Sequence, residues 1–195
     1  MAQSYAVFYE QTGEFLLAWK LQTGYYFSDN GGAIVPKGKR LNGADNYALP
    51  GGRVEHRETI LQAAAREFFE ETGYQLRYTA SQEQSFGPYG AGYFLAQPGD
   101  VATYVHYITT VSLPASVQIA NAIRGRVIRS YGDIAGWVAQ NGYTDWPRSN
   151  ELAWVNSPNI TDPSVWQMVQ SWNHDPLDWY RTILTYLRHD ILGIP

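Results

Sequence analysis

The stretch AREFFEETG, Ala65 to Gly73, places Glu67, Glu70 and Glu71 within five positions of a chain in which only 16% of residues are charged. On a helix, like charges this close repel by roughly a few tenths of a kcal/mol per pair. At about 100° per residue the three glutamates fall at about 0°, 300° and 40° on a helical wheel, within one arc of roughly 100°. Three carboxylates on one face make a hard, oxygen-rich, negative site. Such a site suits Mg²⁺ or Mn²⁺, ions that take oxygen ligands and share them with substrate phosphates. A bound cation would relieve the repulsion. The plainer reading is a solvated acidic face paired with lysines. This helix, however, has no lysine, and only Arg66, four residues before Glu70, can brace it.

The elements around this cluster follow from local pattern. A helix is expected from about Arg57 to Thr72, with Ala63, Ala64 and Ala65 as strong formers and Gly73 as its stop. Leu61, Ala64, Phe68 and Thr72 make an adjacent face fit to pack on a sheet. Pro50-Gly51-Gly52 lets the preceding strand, NYALPGG, turn sharply and bring backbone carbonyls close to the helix start. Glu58 sits near the helix N-terminus, where the dipole favours an acid.

Elsewhere, SYAVFYE and EFLLAWK around QTG read as a β-hairpin. Asp29 to Asn46 reads as a long loop interrupted by AIV, YQLRYTA as a strand and SQEQSFGPYGAG as a loop. ATYVHYITTV, Ala102 to Val111, is expected to be a strand, and SVQIANAIRGRVIRS and DIAGWVAQ short helices of an insertion. ELAWVN, Glu151 to Asn156, reads as a late strand. Asp162-Pro163 and Asp175-Pro176 each read as an N-cap followed by proline at the first helical position. Strands that surround the main helix without regular βαβ alternation indicate α+β, or a mixed sheet with helices packed on it.

Composition narrows the function classes. The 195 residues are 45% hydrophobic and 15% aromatic, enough for one domain with a sizeable core. A formal net charge of −4 argues against broad attraction to nucleic acid or anionic membranes. The chain has no cysteine, which excludes disulfides, thiolate zinc sites and a cysteine nucleophile. MAQSYAVFYE has no secretory pattern, and no apolar run reaches the roughly 18 residues that span a bilayer. The expectation is a soluble cytoplasmic protein.

From Gly52, the sequence GRVEHRETILQAAAREFFEETGY runs Gly, five residues, Glu58, seven residues, then Arg66-Glu67-Phe68-Phe69-Glu70-Glu71-Thr72-Gly73-Tyr74. This resembles the Nudix box, Gly-x5-Glu-x7-Arg-Glu-U-x-Glu-Glu-x-Gly-U, where U is a bulky aliphatic residue. Every glycine and polar position matches, and the U positions hold the aromatics Phe68 and Tyr74. The box covers 23 residues, and ALPGG and the late E…W strand extend the likeness. The resemblance implies a Nudix hydrolase: an α/β/α sandwich around a central mixed β-sheet, here one domain over residues 1–195. Residues 112–148 would form an insertion and 162–195 C-terminal helices.

It further implies hydrolysis of a nucleoside diphosphate linked to another moiety, with Mg²⁺ as cofactor and Mn²⁺ as substitute. Glu67, Glu70, Glu71 and the Gly52 carbonyl would be metal ligands, and Arg66 and Glu58 the brace that orients them. A carboxylate would be the general base. The alternative is a Nudix-fold module that senses a nucleotide without turnover; such modules commonly lose box glutamates, and this chain keeps them all.

Outside the box, Glu151 is the candidate base or further ligand, with Asp133 and Asp145 weaker choices. Arg53, Tyr47, Pro88 and Tyr89 are candidates for substrate binding. In the family, a proline near the distance of Pro88 from Gly73 is associated with ADP-ribose hydrolysis, and a tyrosine near that of Tyr89 with diadenosine polyphosphates. SQEQSF shares Ser81, Gln82 and Phe86 with the NADH-hydrolysing signature but lacks its prolines and tryptophan. None of these decides the substrate.

Tyr47, Phe86, Tyr89 and Tyr93 could stack on a base, although a tyrosine more often packs its ring in the core. Lys37, Lys39 and Arg40 could reach phosphates, though exposed loop cations are commoner; Arg124, Arg126 and Arg129 take the same discount. His106 reads as a half-buried strand residue. Trp166, Trp172 and Trp179 read as core, and exposed members of that set could form a homodimer contact.

Overall fold

The computed structural model describes residues 2–195. Strand β1 (Gln3–Tyr9) runs at the centre of a four-stranded sheet, parallel to β8 (Tyr89–Leu95) and antiparallel to β6 (Gly51–Arg53). β7 (Ala80–Ser85) completes the order β6-β1-β8-β7. A three-stranded sheet has the order β5-β2-β9, from Tyr47–Ala48, Leu17–Lys20 and Leu152–Asn156. β3 (Thr23–Phe27) and β4 (Ala33–Arg40) pair alone. This is an α/β fold with a mixed sheet. Among the described residues no helix is long and apolar enough to cross a membrane.

Helix α1 (Ile60–Thr72) begins three residues later than the composition suggests, because Thr59 and Gln62 close a capping box. Thr59 Oγ1 accepts from Gln62 N at 3.1 Å and Gln62 Oε1 accepts from Thr59 N at 2.9 Å, satisfying two otherwise unpaired donors. Gly73 ends the helix at φ 73°, the left-handed conformation that glycine adopts without cost. Ala63, Ala64, Phe68 and Thr72 are buried where α1 crosses β1 and β8.

Five expectations fail locally, where tertiary context overrides propensity. The expected hairpin turns at a Tyr9–Phe15 bridge, but its strands then part into different sheets. Much of the expected loop over Asp29–Asn46 is β4, whose Pro36 is tolerated because β4 pairs on one side with β3 and, among the described residues, with no other strand. YQLRYTA is irregular up to Thr79, and the polar SQEQS that follows is the exposed edge strand β7.

ATYVHYITTV is helical: α2 (Asp100–Tyr107) continues through a π-turn (Ile108–Ser112) into α3 (Leu113–Arg124). From Val101 to Ser112 the buried positions are Val101, Tyr104, Ile108 and Ser112, a helical spacing hidden under β-branched residues. Glu10, buried at the end of β1, accepts from Gly99 N and Val101 N, both at 2.9 Å. It thereby caps α2 from another element.

Two apolar clusters result. The larger joins both main sheets, α1, α2 and the C-terminal helices α5 (Pro163–Gln170) and α6 (Leu177–Tyr186). The smaller packs α3 and α4 (Asp133–Gln140) onto Tyr26 and Trp146. Asp162 caps α5 as expected, accepting from Ser164 N at 2.7 Å. α6 starts one residue later than expected, flanked by Pro176 and without a side-chain cap.

Candidate active site

A cavity of about 650 Å³ is walled by Gly51, Gly52 and Arg53 of β6, Arg66 and Glu67 of α1, and Lys20 and Glu151 of the three-stranded sheet and its entry. Phe27, Lys39, Arg40 and Asn42 line it from the β3–β4 hairpin and the following loop. Asp175, Pro176, Trp179 and Tyr180 line it from the start of α6. Glycine at position 52 leaves room for the Glu67 carboxylate: an added Cβ would stand 2.5 Å from Glu67 Oε1 and 2.8 Å from Oε2, and the carboxylate would have to shift. The loop backbone therefore lies directly against a box carboxylate.

Arg66 holds the acidic cluster together. Its Nε and Nη2 grip Glu58 in a bidentate pair at 2.8 and 3.0 Å, and Nη2 also donates to the Arg53 carbonyl at 2.8 Å. Its Nη1 reaches forward to Glu67 Oε1 at 2.8 Å and Glu70 Oε2 at 3.3 Å. Hydrogen bonding from Arg66 holds Glu58 below the usual carboxylate range. Burial pushes Glu67 up to about 7; Arg66 opposes the shift, while Glu70 and Glu151 add to it.

Glu71, in contrast to Glu67 and Glu70, is fully buried. It is 1% exposed, and among the described residues its Oε2 has no hydrogen-bond partner. Burial, then the neighbouring Glu151, raise its pKa well above the usual range, and Lys20 counteracts them. Lys20 Nζ lies 2.8 Å from Glu151 Oε2. Burial works against the Lys20 charge, but Glu151 and Glu71 outweigh it and hold the ammonium above its ordinary range.

This donor set fits a hard divalent cation. An orphaned buried carboxylate oxygen is costly to leave unpaired. Here it lies near Glu67, paired with the Arg66 guanidinium, and Glu151, paired with the Lys20 ammonium. Among the described residues no three acidic or imidazole side chains already converge closely enough to enclose an ion. Arg66 stands as the positive partner of Glu67 and Glu70 in this arrangement. Unlike those two, Glu71 forms no direct ion pair among the described residues.

The other sequence candidates divide. Glu151 and Arg53 stand at the cavity, as do Lys39 and Arg40, while Lys37 does not. Tyr47, Pro88 and Tyr89 are not on its wall. Tyr47 stacks on Trp172 at 5.4 Å, and Tyr89 lies nearly parallel to Trp179 at 4.8 Å, backing a residue that does line the cavity. Phe86 stacks on Tyr89 at 5.6 Å, and Tyr93 is buried with its hydroxyl donating to the Ile183 carbonyl at 2.9 Å. Asp133 accepts from Ser130 N at 3.0 Å and Asp145 takes the Tyr107 hydroxyl, both away from the cavity. His106 is exposed on α2 instead of half-buried on a strand.

Lys20, Asp175, Trp179 and Tyr180 were missed as cavity residues. Only Lys20 carried a signal, as the one charge ending the apolar run LLAW.

The NUDIX domain model matches residues 5–124, and the chain belongs to the Nudix family. Comparison with curated protein sequences gives no match. Among solved structures, the MutT protein from Methanosarcina mazei Go1 is 24% identical over 50% of this chain, with a TM-score of 0.29. A bifunctional NMN adenylyltransferase/ADP ribose pyrophosphatase from Francisella tularensis is also 24% identical over 50%, with a TM-score of 0.33. This chain spans 62% and 28% of those two proteins respectively. A NUDIX hydrolase from Nitrosomonas europaea is 15% identical, with 95% of this chain and 87% of that one covered and a TM-score of 0.41.

Proposed function

We propose that this protein is a divalent-cation-dependent Nudix hydrolase that cleaves the pyrophosphate bond of a nucleoside diphosphate linked to a further group. The observation that carries this reading is a complete box whose Gly52, Arg66 and Glu67 line a cavity of about 650 Å³ together with Glu151. Glu67, Glu70, Glu71 and the Gly52 carbonyl would hold the cation, Mg²⁺ or in its place Mn²⁺. When bound, such an ion neutralises pyrophosphate oxygens and acidifies the attacking water. The Arg66–Glu58 pair would orient Glu67, which lines the cavity, and Glu70, which Arg66 also contacts. Lys20 anchors Glu151 by Oε2, leaving the other oxygen to take the proton of the attacking water as general base.

Recognition falls to the remaining walls. Arg53, Lys39 and Arg40 would meet phosphate oxygens by charge-assisted hydrogen bonds. Trp179, backed by Tyr89, offers an indole to a nucleobase, a contact worth about 1–3 kcal/mol. The partner is therefore a small nucleotide: ADP-ribose, a nucleotide sugar, a dinucleotide or a nucleoside triphosphate.

The test is a hydrolysis panel with Mg²⁺ covering those classes and NADH, run beside Glu70→Gln and Glu71→Gln. Both variants are expected to lose at least about two orders of magnitude in turnover, since each removes a charged ligand. Wild-type turnover in both would refute the assignment. Tight nucleotide binding without cleavage of any substrate would identify a sensing module instead.

A further inference from the structure

A hydrogen-bonded strut connects the inserted helices to the acidic cluster. At its far end, Ser116 of α3 meets the Tyr26 hydroxyl at 2.8 Å and accepts from Asn150 Nδ2 at 3.0 Å. Asn150 also accepts from Tyr25 N at 2.9 Å and donates its own N–H to the Tyr26 carbonyl at 2.8 Å. Next in the chain, Arg148 N and Ser149 N both donate to the Glu70 carbonyl, at 2.6 and 2.9 Å, satisfying an acceptor in the last turn of α1. Ser149 Oγ accepts from Ser28 N and lies 3.1 Å from Ser28 Oγ; Ser28 Oγ donates to Glu70 Oε2 at 2.8 Å. Ser116, Ser149 and Asn150 are buried, and each has its partners.

The direction of this chain has a consequence for Glu70. Ser28 must spend its proton on the carboxylate, so Ser149 supplies the proton between the two hydroxyls. Ser28 and Arg66 Nη1 both bind Oε2, the serine at 2.8 Å and the arginine at 3.3 Å. Oε1 receives no hydrogen bond among the described residues. A flexible side chain is thus pinned by one oxygen with the other left free. Held serine hydroxyls of this kind do for a carboxylate ligand what outer partners do for metal-binding histidines.

We propose that Ser28 is a positioning residue for Glu70, held in turn by Ser149, and that this serine pair thereby raises the protein's affinity for its divalent cation. The proposal rests on the reading of Glu70 as a cation ligand. It adds a partner that lies 42 residues before Glu70 and a second one 79 residues after it.

The test is Mn²⁺ titration of the metal-depleted full chain, with free ion followed by electron paramagnetic resonance and folding checked by thermal melting. Ser28→Ala is expected to weaken Mn²⁺ binding about tenfold or more, within the range for outer-partner losses. Ser28→Thr, which keeps the hydroxyl, should stay within about twofold of wild type, and Ser149→Ala should show a smaller loss than Ser28→Ala. Wild-type affinity in a folded Ser28→Ala, while Glu70→Gln loses binding, would overturn the positioning role and leave the ligand reading intact. Wild-type affinity in Glu70→Gln would sink the ligand reading itself. Should Ser28→Ala not fold, an unchanged affinity in Ser149→Ala decides against the proposal, because half-buried Ser28 would then hold Glu70 without the strut.

Discussion

The cavity has two kinds of wall. Where β6, α1 and the end of β2 meet, the principal charges are paired before any ligand arrives: Arg66 with Glu58, Glu67 and Glu70, and Lys20 with Glu151. On the side built by β4 and the loop after it, Lys39 and Arg40 are exposed and form no ion pair among the described residues. Lys39 sits only over the Phe27 ring, at 5.6 Å. The first wall is preorganised and partly dry, so its fixed charges act without reorganisation. The second is hydrated and adaptable, suited to gathering a polyanion. On the proposed reading, chemistry is thereby separated from capture within one pocket.

The largest break in this contrast comes from removing the shared brace. Arg66→Met would leave Glu58, Glu67 and Glu70 without their common cation. Breaking a partly buried pair in this way costs about 3–5 kcal/mol when the partner is fully desolvated; these side chains are 12–23% exposed, so the lower end applies. Equilibrium urea unfolding measures it. A loss under about 1 kcal/mol would mean the brace behaves like a surface pair.

Lys20→Met is the next test. It deprives Glu151 of its ion pair and Glu71 of its nearest compensating charge, so stability should fall by about 2–3 kcal/mol in chelator. Saturating Mg²⁺ should restore more of the melting temperature in this variant than in wild type, because the ion replaces the missing charge. Equal restoration in both would show that Lys20 and the cation do not share the same carboxylates.

The acidic wall was legible because its pattern is local. Glycine, glutamate and arginine at fixed spacing on a helix with a clear stop reveal Gly52, Glu58, Arg66 and the three glutamates together. Ser28, Ser149 and Asn150 are ordinary polar residues in sequence, and their roles arise from contacts spanning 42 to 125 positions. The stretch Ala102 to Val111 misled for a related reason. Its valines, threonines and tyrosines favour strands, yet Glu10 caps it as a helix from the far end of β1. Trp179 was visible as an aromatic at helical spacing, but only the packing of α6 against Tyr89 brings it to the cavity.

On the capture wall, Lys39→Ala and Arg40→Ala should raise KM about five- to tenfold each and leave kcat within about twofold. A tenfold change corresponds to about 1.4 kcal/mol. The effect should shrink as ionic strength rises, since exposed charges are screened. A fall in kcat at unchanged KM would place these cations with the chemistry and erase the division between the walls.

The smallest expected effect concerns how the two walls are anchored. Helix α1 enters through a full capping box, whereas α6, which carries Trp179, starts without a side-chain cap. Thr59→Ala removes the acceptor for Gln62 N and should cost about 1 kcal/mol of stability. Thr59→Ser keeps that acceptor and should recover most of the loss. Hydrogen exchange localises the change: the first-turn amides of α1 should lose protection in Thr59→Ala, while those of α6 keep the faster exchange expected of an uncapped start. Equal protection of the two helix starts in the wild type would mean that packing, and not capping, makes the acidic wall the more rigid one.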